Sequence, residues 1–90
     1  LDHRLKTTMA LGADILLRLT RRYEPNTTVD FTFRGRDVTV KTDAYGNPIT
    51  AFIGKRGTDG KVKGQRYART LKADAAGRII KDHWDLKGSV

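Results

Sequence analysis

At Pro25 the hydrophobic period of this chain changes from that of a helix to that of a strand, and nothing else in the sequence narrows the fold as much. Upstream, Leu5, Met9, Gly12, Leu16, Leu19 and Tyr23 recur at spacings of three and four, one stripe of an α-helix. Asp2 can cap its start, and Pro25 disfavours helical backbone at Glu24, so the spacing predicts a helix over about 2–24 that stops near Tyr23. Arg18, Arg21 and Arg22 then sit at the negative end of its dipole. Leu11, Ile15 and Leu17 fall off the stripe and widen the apolar face, as a helix seated deeply on a sheet requires; the alternative is a second contact surface for dimer or subunit assembly.

Downstream the period is two. Val29, Phe31 and Phe33 alternate with polar residues, Gly35 marks a turn, and Val38 and Val40 alternate in the return strand. Asp43 to Pro48 supplies the next turn, after which Ile49, Ala51 and Ile53 point inward and Phe52 outward. Gly54 to Gly60, with three glycines, reads as a mobile loop, and Lys61 to Lys72 as a long fourth strand. Gly64 suggests a bulge there, which leaves the facing of Arg66, Tyr67 and Arg69 open. Asp74 to Gly77 turns the chain again, Arg78 to Leu86 forms a fifth strand, and residues 87–90 read as a frayed tail. The turns Asp43-Ala-Tyr-Gly46 and Asp74-Ala-Ala-Gly77 echo one another, and superposing them aligns Ile49 with Ile80, Ile53 with Trp84 and Phe52 with His83. That alignment puts Ile80 and Trp84 in the core. The fold class expected is α+β, a single domain over residues 1–90. One N-terminal helix packs on a five-stranded antiparallel β-meander, curled as far as a partly closed small barrel, and the sheet face left uncovered is the working face.

Charge is distributed unevenly along this scaffold. The chain carries a net +8, and the stretch from Gly54 to Lys72 sets Lys55, Arg56, Lys61, Lys63, Arg66, Arg69 and Lys72 against one acid, Asp59. Clustered charge of this kind faces something anionic, and glycines among the cations let backbone approach a polyanion. The expected function is therefore non-enzymatic nucleic-acid binding of low sequence specificity, with Lys55, Arg56, Lys61, Lys63, Arg66, Arg69 and Lys81 on phosphates. Phe52 is the best aromatic for stacking on bases, ahead of Tyr67 and His83, while Trp84 belongs to the core. The rival reading is an interaction module that self-associates through its helix into a homo-oligomer or docks an acidic protein on its basic strand.

Other classes are harder to fit. With no cysteine there is no disulfide framework, thiolate metal site or cysteine nucleophile. The glycines around Lys55 match no phosphate-loop pattern. His83 lies among carboxylates, but Asp82 beside it points to the opposite face of a strand, so no catalytic or metal site and no cofactor is expected. The longest apolar run, Met9 to Leu17, is too short to span a bilayer and is broken by Asp14. A cytoplasmic location is the expectation. The chain begins at Leu1 rather than Met, which leaves residues upstream open.

Overall fold

A computed structural model describes residues 12–90. Among these residues there are one helix, α1 (Ala13–Leu19), and five strands, β1 (Thr28–Phe33), β2 (Arg36–Thr42), β3 (Pro48–Arg56), β4 (Val62–Ala73) and β5 (Ile79–Ser89). The strands form one antiparallel meander in the order β1-β2-β3-β4-β5. The α+β class is the one expected. The sheet is open, with β1 and β5 as its edges, so the partly closed barrel is not formed.

Each turn follows from its residues. Arg34 and Gly35 both take positive φ, +51° and +79°, the two-residue hairpin whose twist matches the strands it joins. The repeated Asp-Ala-x-Gly segments make the same turn twice. Asp43 N–H donates to the Asn47 carbonyl, and its carboxylate accepts from the amides of Tyr45 and Asn47. Asp74 does the same with Arg78 and with the amides of Ala76 and Arg78. Gly57 to Lys61 closes a third turn with the same pair of backbone bonds, Gly57 N–H to the Lys61 carbonyl and Gly60 N–H to that of Gly57. The expected seven-residue mobile loop is thus shorter and more tightly tied, because β3 continues through Arg56.

The helix covers one face of the sheet. Ile15 and Leu19 are buried with Val38, Val40, Ala51, Ile53, Tyr67 and Trp84, and Leu16, Val29, Phe31 and Phe33 pack against this core. Of the expected stripe Leu19 is fully buried and Leu16 only partly, while Ile15, expected beside the stripe, is buried with Leu19, and Leu17 is 73% exposed. The helix also ends earlier than expected, at Leu19 with Thr20 as its cap. Tyr23 is recruited elsewhere, since its N–H donates to the Gly46 carbonyl and its hydroxyl to that of Arg18, which ties the chain after the helix to the β2–β3 turn. Asp2, Leu5, Met9 and Leu11 lie outside the described residues.

Three further expectations are corrected. Gly64 is not a bulge: Gly54 and Gly64 are direct cross-strand partners, and the register shifts fall at Lys41/Thr42, Arg66/Tyr67 and Lys72/Ala73. A Cβ on Gly64 would stand 2.9 Å from the Gly54 Cα, and Gly64 has φ +155°, so both glycines are there for close backbone approach. Ile80 is 65% exposed rather than in the core, because it falls in the register shift at Lys72/Ala73, between Ile79 and Lys81, without a partner on β4. The last residues are paired rather than frayed, β5 running to Ser89 and Val90 N–H donating to the Gly64 carbonyl.

Candidate functional site

Cross-strand partners share a face, so the register sorts the side chains without ambiguity. Opposite the helix, one row runs Asp30, Thr39, Phe52, Arg66 and Gly88, and the next runs Thr28, Lys41, Thr50, Ala68 and Asp85. Further along β4 and β5 the same face carries Thr70 across from His83 and then Lys72 across from Lys81. No described element covers this face.

Phe52 is the centre of its apolar part. It lines a pocket of about 440 Å³ with Val62, Val90, Lys41 and Lys61, and the Lys41 Nζ lies 5.8 Å from the centroid of its ring. Val62 is buried here, on the side of the sheet away from the helix, and Val90 is held over β4 by its bond to Gly64. Asp30, at the pocket edge, accepts from Thr39 Oγ1 at 2.5 Å and pairs with Arg56 at 3.3 Å, so its charge is already answered.

The sequence-predicted cations do not gather on one side. Arg66 stands beside Phe52, and Lys81 lies farther along the same face. Lys61 rims the pocket from the turn. Arg56 is committed to Asp30 and to the Gly60 carbonyl at 2.7 Å. Lys55 and Lys63 are cross-strand partners that alternate with Ile53, which puts them on the helix side beyond the helix itself. Lys63 lies 3.9 Å from Asp59, whose carboxyl is held below its ordinary value first by the Lys61 amide and also by Lys63 and Lys61.

Arg69 departs furthest from the expectation. Its side chain is 5% exposed on the helix side, where Nε and Nη2 donate to the two oxygens of Asp82 at 2.7 and 2.8 Å. Nη1 donates to the Pro48 carbonyl at 3.1 Å and reaches that of Leu19 at 3.5 Å, and the guanidinium lies over Trp84. This arginine clamps the helix end, the start of β3 and β5 together, and no phosphate can reach it. The register shift after Arg66 does not alter this facing within β4: Tyr67 and Arg69 point to the core, while Arg66 points away. Burial pushes the Tyr67 phenol up from its ordinary value, with Arg36 opposing.

Two features were not legible in the sequence. One is the facing pair Lys72 and Lys81, with no carboxylate in ion-pair distance among the described residues. Like charges directly opposite in a sheet cost stability, so an anion between them is favoured. The other is His83, whose Nε2 stands 2.6 Å from Asp85 Oδ1, the side chains 32% and 43% exposed. Attention to neighbouring Asp82 conceals this pair, since on a strand it is the residue two places along that shares the face.

Among the described residues no group of three or more histidines and carboxylates could hold a metal ion, and no helix is long and apolar enough to cross a membrane. The chain matches no family model, no curated protein and no solved structure.

Proposed function

We propose that the helix-free face of the sheet binds nucleic acid, with bases resting on Phe52 and phosphates held by Lys41, Lys61, Arg66, Lys72 and Lys81. The observation that carries this reading is the composition of that face. It combines an aromatic-floored pocket with cations from β2, β4, β5 and the β3–β4 turn, and its carboxylates Asp30, Asp37 and Asp85 are each engaged by a neighbour, Asp37 by the Arg56 amide. A half-buried aromatic among cations suits unpaired bases, since every base offers a π-face and the backbone passes close by. Contacts to phosphates and to the π-face of a base carry little sequence information, so low sequence specificity follows.

The experiment is fluorescence anisotropy of random single-stranded oligonucleotides across a salt series. Contact with about four phosphates gives a slope of log K against log salt of about −3. Phe52→Ala is expected to weaken binding about tenfold, from the loss of a base–aromatic stack worth on the order of 1–3 kcal/mol. Lys55→Ala, on the opposite side, is expected to leave the affinity unchanged. Absence of binding at low salt, or binding insensitive to salt, refutes the reading. One observation favours self-association instead, the exposed Leu17 on α1; light scattering of the native chain tests it, a monomer at high concentration removing its basis.

A further inference from the structure

We infer that His83 and Asp85 form a catalytic pair that cleaves the RNA backbone on this face, without a metal ion, by transfer to the internal 2′-hydroxyl. The inference rests on the nucleic-acid reading above and adds to it a chemical step and a choice of RNA over DNA.

The pair has the geometry of an oriented base. When Asp85 is ionised its carboxylate only accepts, so the 2.6 Å contact fixes the ring hydrogen on Nε2. Nδ1 then keeps its lone pair in the neutral ring, and it has no hydrogen-bond partner among the described residues. Orientation of a histidine by a carboxylate is what general-base work requires, because it holds both tautomer and ring plane. The imidazole stands one-third exposed on the face already described, where a bound strand can reach it.

The surroundings supply what a phosphodiester needs. Lys81 lies two residues along the same face of β5, about 7 Å away by strand rise, with Lys72 across from it and the Thr70 hydroxyl across from His83. Phe52 lies two strands and four residues from His83, about 17 Å by sheet spacing, so a base stacked on it places phosphates a few nucleotides downstream over β4 and β5.

The chemistry then balances within the substrate. His83 takes the proton of a ribose 2′-hydroxyl, and the 2′-oxygen attacks the adjacent phosphorus. The bond from phosphorus to the 5′-oxygen of the next nucleotide breaks, and the proton held by His83 passes to that oxygen, directly or through water. The products are a 2′,3′-cyclic phosphate and a 5′-hydroxyl, with no net gain or loss of protons. Lys72 and Lys81 answer the charge that builds on the phosphoryl oxygens. A nucleophile already in the substrate explains how one histidine and cations suffice, and DNA, lacking it, binds without being cut.

The test uses the full chain with a single-stranded RNA oligonucleotide, its all-deoxy counterpart, and one in which a single ribose is replaced by deoxyribose, all in EDTA. Cleavage of the RNA to a 2′,3′-cyclic phosphate, none of the deoxy strand, and protection at the substituted position are expected. His83→Ala is expected to lower the rate at least 100-fold, within the range of general-base contributions, with anisotropy affinity unchanged and partial recovery in added imidazole. Asp85→Asn, at the positioning residue, is expected to lower kcat about tenfold with KM unchanged. RNA that is bound but stays intact, or is cut equally by His83→Ala, overturns the inference and leaves the binding reading standing. RNA and DNA that both fail to bind overturn the two together.

Discussion

Removing the carboxylate of Asp82 should cost this fold more than removing the guanidinium it binds. The Arg69 side chain is 5% exposed and donates to both Asp82 oxygens, while Asp82 itself is 37% exposed. Asp82→Ala therefore strands a buried cation whose remaining acceptors among the described residues are the Pro48 and Leu19 carbonyls. Breaking a fully buried pair in this way costs about 3–5 kcal/mol. Water entering on the open Asp82 side reduces that to about 2–3 kcal/mol here. Arg69→Met leaves behind a carboxylate that regains water, and the new side chain packs on Trp84, so the expected cost is about 1 kcal/mol. The double variant Arg69→Met, Asp82→Leu should come within about 1 kcal/mol of the native chain. The assay is urea unfolding followed by the fluorescence of Trp84, the single tryptophan, which is buried directly beneath Arg69. For a domain of this size the Asp82→Ala loss corresponds to a fall in Tm on the order of 10–20 °C. An Arg69→Met variant as unstable as Asp82→Ala, or a double variant no better than either, would falsify the assignment of Arg69 as a buried clamp.

Two further outcomes test the fold. Gly64→Ala should destabilise by about 3 kcal/mol or more, since the added Cβ meets the β3 backbone and φ is +155°; an urea midpoint equal to that of the native chain contradicts the close approach. Asp43 gives the acid limb of stability. Partial burial opposes its charge, but the amides of Asn47 and Tyr45, the Asn47 side chain and Arg69 outweigh this and hold its carboxyl below the ordinary value. A folded value below the unfolded one means that its contribution is whole above the unfolded value and is lost as pH falls through the folded one. The urea midpoints of native and Asp43→Asn chains should accordingly converge as the pH drops through the carboxylate range, and a constant separation would show that Asp43 ionisation does not stabilise the turn.

Much of the architecture could be read from spacing, because a strand with one wet face writes its burial as strict alternation. Val38, Val40, Ala51 and Ile53 are all found inside as their period demands, and Phe52 outside. The repeated aspartate turns were equally legible, since the Asx hydrogen bonds that make them are local to a few residues. Alternation fails at register shifts, and the chain has one before Tyr67 and another at Lys72/Ala73. There the facing depends on the partner strand, and that is where the expectation for Ile80 was lost.

Which cations are available was decided only in three dimensions. Composition shows seven basic residues together in the Gly54–Lys72 stretch, but a guanidinium is neutralised by whatever carboxylate or carbonyl the fold brings to it. Asp82 and Pro48 lie far from Arg69 in the chain, and Asp30 lies far from Arg56. The same pairing of distant segments set Lys72 against Lys81 and left Arg66 beside Phe52. The local code of period and turn is enough to build the sheet; the partners of long charged side chains are set by cross-strand register, and so the charge of the helix-free face is decided only in the tertiary structure.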